Sequence, residues 1–277
     1  MFFYNYEKAG KGVNRRDPNQ PRIQVFIDIL PRKLWSLFKL QILYLLTIAP
    51  FFLVTMIVIG IISSSIANKQ FHSINVDDWV SLDIILRIIL SYIFMVFLGQ
   101  GPATAGYTYI IRSYGEEQPC WLISDFFSRS KMNFKQSFIL WIIDLLVVYA
   151  LVIAFRVYTH MGIEVLQCIT LLIGVIYMMM HIYIYQMIVT FELSFKNIVK
   201  NSFLLVVVKA PTSILIFFVN IIICIIVPLA VVLNVNNYFI ILILLLFNSL
   251  VLLPVTNFAI SFYIEPMLKK YIGRQPK

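Results

Sequence analysis

The sequence predicts an all-α polytopic membrane protein: six transmembrane helices, with basic amphipathic helices lying in the membrane plane. Three observations carry this. Of 277 residues, 61% are hydrophobic and only 13% are charged, against about 25% charged in a typical soluble domain. The mean hydropathy is +0.89. Long stretches free of Asp, Glu, Lys and Arg recur, and a crossing helix needs roughly 20 mainly apolar residues. A soluble fold of this size could not hide so much apolar side chain. A water-soluble enzyme, a disordered chain and a nucleic-acid-binding domain are thereby excluded. A β-barrel would need alternating strands, and the run from Ile240 to Phe247 does not alternate.

The apolar stretches place spans at about 41–62, 84–107, 137–158, 165–189, 211–233 and 238–262. Asn234, Asn236 and Asn237 interrupt the last long stretch and mark a turn between spans five and six. The whole chain reads as one membrane domain. Residues 1–39 form an N-terminal segment with an in-plane helix, 40–264 a six-span bundle, and 265–277 a tail.

Basic residues set the orientation. Lys8, Lys11, Arg15, Arg16, Arg22, Arg32, Lys33 and Lys39 precede span one. Arg112, Arg129, Lys131 and Lys135 follow span two, and Lys196, Lys200 and Lys209 precede span five. Lys269, Lys270, Arg274 and Lys277 lie in the tail, whereas the opposite side has only Lys69, Arg87 and Arg156. Both termini are therefore expected in the cytoplasm. The net charge of +9 follows from retention of these loops and favours anionic lipid headgroups as partners; no nucleic acid is needed to explain it. Eight basic residues ahead of a span too long for a signal peptide argue against a cleavable leader.

Three segments before outward-going spans resemble one another: Phe38-Lys39-Leu40-Gln41, Phe134-Lys135-Gln136-Ser137 and Val199-Lys200-Asn201-Ser202. Each emerges from a basic stretch. Ile23, Phe26, Ile27, Leu30, Leu34, Leu37 and Phe38 form one helical stripe, and Phe191, Phe195, Ile198, Ser202 and Leu205 another. Such helices suit the bilayer interface. The chain thus reads as three units of in-plane helix plus hairpin, a pattern found in transporters and in plain scaffolds alike.

Span two ends in Gly99-Gln100-Gly101-Pro102-Ala103-Thr104-Ala105-Gly106. The dinucleotide fingerprint needs glycine where Thr104 stands, and no Walker lysine follows. Gly99, Pro102, Ala103 and Gly106 recur at helical spacing, so a close helix approach is expected there. Gly101 lies beside Pro102, which frees the carbonyl of Leu98 and kinks the helix.

This glycine-rich run continues into Arg112-Ser113-Tyr114-Gly115-Glu116-Glu117, Ser124-Asp125-Phe126-Phe127 and Asn133-Phe134-Lys135-Gln136. Together with Gly10-Lys11-Gly12-Val13 and Lys200-Asn201-Ser202, these motifs resemble the YesL family of bacterial membrane proteins. That family has no established function, and no catalytic residue is carried over from it. Its members are typical of Gram-positive bacteria and often accompany sugar-uptake transporters and glycoside-degrading enzymes. The resemblance implies a bacterial cell-membrane location and sugar-transporter subunits as partners.

Ionisable groups inside a span ask for partners, since each costs roughly 2.5–3.5 kcal/mol on insertion scales. Asp144 and Lys209 each lie nine residues beyond a matching lysine, Lys135 and Lys200. Superposed units would bring them together in the inner half of the membrane, with His181 at the same level. The alternative is that Lys209, two residues before Pro211, starts span five and reaches headgroups. Asn220, Asn248 and Asn257 are expected to hydrogen-bond between helices. His72, Asp77, Asp78 and Asp83 read as solvated loop charges rather than a metal site. No catalytic motif, cofactor site or metal-ligand pattern stands out. The expectation is a non-enzymatic accessory, regulatory or assembly partner of a carbohydrate uptake system of the ABC type. The alternative is a small-solute transporter or channel, for a sugar or an ion, built around Asp144, Lys209 and His181.

Overall fold

The computed structural model describes residues 20–67, 91–229 and 237–272, and every regular element among them is helical. In chain order these are α1 (Arg22–Ala67), α2 (91–97), α3 (Pro102–Gly115), α4 (Leu122–Met132) and α5 (Phe134–Met161). They continue with α6 (Glu164–Thr190), α7 (Phe195–Val208), α8 (Ala210–Ile221), α9 (Tyr238–Phe247) and α10 (Leu253–Ile272). A π turn, Ile222–Ile226, extends α8, and another, Asn248–Leu252, joins α9 to α10. The loop residues His72, Asp77, Asp78 and Asp83, the Asn234 and Asn236 turn and the N-terminal Gly10–Val13 motif lie outside the described residues.

Among the described residues five helices are long and apolar enough to cross a bilayer: Arg22–Ile61, Phe134–Met161, Glu164–Thr190, Ala210–Leu229 and Phe239–Ile272. Their outward faces carry Leu46, Ile57, Leu146, Leu172, Leu215 and Phe239 in exposed positions. In water such a rim would drive aggregation; against acyl chains it is the ordinary outer surface of a membrane bundle. The chain is a multi-pass membrane protein.

The N-terminal in-plane helix is not a separate element. α1 runs through 46 residues without interruption, about 69 Å at 1.5 Å per residue. The reason is the buried stripe. Ile29, Leu37, Leu40, Tyr44 and Ile48 are all buried and recur at helical spacing across the expected boundary. Of the apolar stripe proposed from sequence, Ile23, Ile27 and Leu34 are exposed, as a lipid-facing stripe would be, whereas Leu37 is buried in the bundle. Short helices that carry basic residues do precede α5 and α8: these are α4 and α7, set off by Asn133 and Lys209. In α7 the expected stripe shares one face, but that face is buried against the bundle rather than open to lipid, with Ile198, Ser202 and Leu205 buried.

α3 and α6 occupy the centre. α3 packs on α1, α4, α5, α6 and α10, and its residues from Tyr107 to Tyr114 are nearly all buried. The lower half of α6, from Met179 to Thr190, is also almost wholly buried. One apolar cluster joins α6 to α7, α8 and α10, and a second joins α1 to α3 and α10. The two π turns meet where the Asn248 amide donates to the Ile223 carbonyl at 3.0 Å, which satisfies a backbone acceptor that a widened turn leaves open. Asn257 also bonds between helices, to the Tyr107 hydroxyl at 3.4 Å, whereas Asn220 donates to Ile216 of its own helix.

The basic end is held by ion pairs. Lys269 lies 2.7 Å from Glu116 and 2.6 Å from Glu265, Arg112 lies 3.0 Å from Glu116, and Arg32 lies 2.8 Å from Glu117. Arg22 donates to the Phe262 carbonyl at 2.8 Å. These contacts tie α1, the end of α3 and α10 together. Burial opposes charging of Glu116, but hydrogen bonds with Glu265 and Lys269 and the charges of Arg112 and Lys269 outweigh it. Its carboxyl is held down from 4.5 to about 2. A depressed carboxyl contributes stability that is present above the unfolded value and lost as pH falls toward the folded one. Thermal midpoints in detergent should therefore fall between pH 4.5 and about 2. Glu116→Gln should start lower and show a shallower acid limb; an unchanged limb would refute the assignment.

Candidate solute site at a broken helix

Where a second span was expected, the chain does not kink at Pro102; it breaks. α2 ends at residue 97, the backbone unwinds through Leu98-Gly99-Gln100-Gly101, and α3 starts at Pro102. Gly99 has φ 83° and Gly101 φ 59° with ψ −131°, a left-handed and a mirror-image conformation that side chains disfavour. Pro102 then sits at the first helical position, where its missing N–H removes no bond. The Gln100 backbone N–H donates to Thr104 Oγ1 at 2.6 Å, so one freed donor is satisfied locally.

α3 has 14 residues from Pro102 to its basic end, so the break lies about 20 Å above that end. Non-helical backbone at membrane depth is tolerated only inside protein or along a cavity. Both hold here. Gln100 is fully buried, and Gly99 borders a cavity of about 130 Å³ between α1, α2, α3, α6, α8 and α10. Small residues let the neighbours close in. A Cβ on Gly99 would lie 2.8 Å from the Tyr185 ring, and one on Gly106 would lie 2.6 Å from the Phe126 carbonyl. The expected close approach at Gly106 is thus made by α4. Ala103 and Pro102 are buried too.

The cavity wall is polar for a membrane interior. Gln41 and Tyr44 come from α1, Thr104 and Tyr107 from α3, Gln186 from α6 and Asn257 from α10. They form two short chains. Tyr107 donates to Gln41 at 2.9 Å and receives from Asn257 at 3.4 Å, while the Tyr44 and Thr104 hydroxyls lie 3.0 Å apart. Among the described residues no Lys, Arg, Asp or Glu lines this cavity; its one ionisable group besides tyrosines is His181.

Asp144 stands behind His181. It is fully buried, ten residues into α5 and so about 15 Å above the basic end of that helix. Its Oδ1 receives the Tyr177 hydroxyl at 2.5 Å and lies 3.0 Å from His181 Nε2. The latter contact is an ion-pair approach whose angle falls short of a regular hydrogen bond. Tyr177, His181 and Tyr185 follow one another at one-turn spacing on α6, with ring centroids 5.1 and 6.1 Å apart. Asp144 Oδ2, His181 Nδ1, Gln100 Nε2 and Trp141 Nε1 are buried and make no hydrogen bond to the described residues, whereas most buried polar atoms in proteins are paired.

Of the expected trio, Asp144 and His181 meet and Lys209 does not join them. Lys209 lies at the junction of α7 and α8, with its ammonium 5.1 Å from the Tyr271 ring. The physical reason is the break at Lys209 itself, which makes it the cap of α8 rather than a residue within a span; it reaches the surface. Thr104 of the glycine-rich run and Gln186 of α6 line the cavity. Gln41, Tyr44 and Tyr107 were not singled out as a site. The available signal was the three-residue spacing of Gln41 and Tyr44 on one face of α1. Among the described residues no group of three His, Cys, Asp or Glu could hold a metal.

No curated protein and no solved structure matches this chain. A family model described as a protein of unknown function, DUF624, matches residues 83–155. That stretch contains the Gly99–Gly101 break, Gly106 and Asp144, whereas Gln41, Tyr44, His181, Gln186 and Asn257 of the cavity wall lie outside it.

Proposed function

We propose that this chain is a non-enzymatic bacterial cell-membrane protein that crosses six times with both termini cytoplasmic and holds a small hydroxylated solute at the broken helix. It serves carbohydrate uptake in this reading. The observation that carries it is the polar cavity at Gly99, walled by amides, hydroxyls and tyrosine rings. Amides and hydroxyls both donate and accept, which suits the alternating hydroxyls of a sugar or polyol, and tyrosine rings offer apolar faces to its C–H groups. The volume of about 130 Å³ is close to the roughly 150 Å³ that admits benzene in an apolar cavity, so a single-ring solute is the scale. Helices broken at mid-membrane are a recurring device of solute sites.

The test is thermal stabilisation of the full chain in nanodiscs by a panel of neutral monosaccharides and myo-inositol. At least one should raise the midpoint saturably, and Tyr107→Phe should weaken that effect by about tenfold in concentration, since one hydrogen bond is worth about 1.4 kcal/mol here. No stabilisation by any member, or none altered by Tyr107→Phe, would overturn the solute site.

The resemblance to the YesL family supports a second reading, in which the chain is an accessory or assembly partner of an ABC-type sugar importer. Gentle purification from the native host should then recover sugar-transporter subunits with it. Recovery alone, together with solute-dependent stabilisation, favours the first reading.

A further inference from the structure

We infer that the groove between α7 and the end of α10 is a binding site for one anionic phospholipid, whose phosphate is held by Lys200, Asn197 and Asn201. The placement of α7 comes first. Its start is fixed beside the start of α5, where the Gln136 amide donates to the Leu193 carbonyl at 3.0 Å. Its end is capped by Lys209, whose ammonium lies 5.1 Å from the Tyr271 ring. Tyr271 follows closely on Lys269, which pairs with Glu116 at the basic end. Both ends of α7 therefore stay at that end of the bundle, and the helix lies along its surface.

The groove has a volume of about 460 Å³, within the roughly 300–1,000 Å³ of ligand pockets. Its wall changes character along α7. Asn197, Lys200 and Asn201 line one part and Leu204 and Val208 the other, with Tyr271 contributed by α10. Lys200, Leu204 and Val208 follow one another at one-turn spacing, so a cation and two apolar side chains share a face. Leu204 and Val208 are exposed. Lys200 takes no part in the ion pairs that hold the basic end, which use Arg32, Arg112 and Lys269. Among the described residues no Asp or Glu lines the groove, and the sequence after Ile272 adds Arg274 and Lys277 but no acidic side chain. The complement of such a wall is an anion that carries apolar chains. A free phosphate would engage the ammonium and the amide N–H groups and leave Leu204 and Val208 to water; a phospholipid covers both parts. Basic pockets beside membrane helices recognise anionic headgroups in this way.

Native mass spectrometry of the full chain in mild detergent counts bound lipids one by one. One molecule of phosphatidylglycerol should be held at least about fivefold more tightly than phosphatidylcholine of the same chain length, the preference expected for a net anion near lysine. Lys200→Gln should weaken that molecule about tenfold, the loss of one charge-assisted hydrogen bond, and Lys200→Arg should retain it. Leu204→Asn should weaken it too, because the acyl chains lose part of their wall. Lys131→Gln makes the same charge change on α4 and should leave this molecule in place. Lys200, Leu204 and Lys131 are all exposed, so these variants are expected to fold. Equal retention of the two lipids, equal losses in Lys200→Gln and Lys131→Gln, or displacement of the lipid by inorganic phosphate would overturn the inference. No sugar is present, so the result is independent of the solute panel above.

Discussion

His181→Leu should destabilise the folded protein by about 3–5 kcal/mol, because it strips a buried carboxylate of one of its two partners. Asp144 is fully buried and keeps only the Tyr177 hydroxyl once the imidazole is gone. The companion experiment separates stability from function. Replacing both members, as Asp144→Leu with His181→Leu, should recover most of the loss. Exchanging a buried ion pair for apolar side chains is often neutral or favourable, and both positions lie in an interior already rich in apolar contacts. A residual deficit of about 1–3 kcal/mol is expected from the Tyr177 hydroxyl left without its acceptor. Reversible denaturation in mixed micelles reads these differences. If the double variant is as unstable as the single ones combined, the pair is there for stability, and the case for a working site weakens. If the double variant is stable but no longer binds solute, the pair is retained for what it does.

Gly106→Val should destabilise by at least the about 1–3 kcal/mol typical of overpacking. Gly106 lies in the second turn of α3, where α4 crosses it. A Cβ there would sit 2.1 Å from Ser130 Oγ and 2.6 Å from the Phe126 carbonyl. Ser130 could rotate away; the Phe126 carbonyl belongs to the α4 backbone and cannot move without shifting that helix. The internal control is Gly174, in the interior of α6, where a Cβ would meet only Leu151 Cδ1 at 3.7 Å. Gly174→Ala should be neutral or stabilising by up to roughly 1 kcal/mol, from helix propensity alone. Equal effects at the two positions would show that α4 does not press on α3 as described.

Much of the architecture was legible because it rests on local properties of the chain. An apolar run of bilayer length predicts a helix whatever its neighbours are, and five of the six expected spans appear as such helices. Depth was legible for the same reason. A helix advances a fixed distance per residue, so Asp144 and His181, placed at one level by counting from the ends of their spans, do meet at 3.0 Å. Local periodicity could not decide which faces turn inward. The stripe in the N-terminal segment was assigned to a lipid surface; Ile23, Ile27 and Leu34 do face out, but Leu37 is buried in the cluster that joins α1 to α3 and α10.

What the amino-acid order settled by itself is a multi-pass helical membrane protein with few ionisable groups at membrane depth, because hydrophobicity and span length act residue by residue. The third dimension decided the partners. Lys209 had the matching register but sits at a helix junction beside Tyr271, and a tyrosine with no special sequence signature, Tyr177, took the place beside Asp144. The glycine-rich run read equally well as a packing face or a kink; it unwinds at Gly99 and Gly101, and at Gly99 the Tyr185 ring of α6 stands so close that a Cβ would lie 2.8 Å from it. Side-chain pairing and backbone breaks depend on contacts between segments far apart in the chain, and these exist only once the bundle has closed around them.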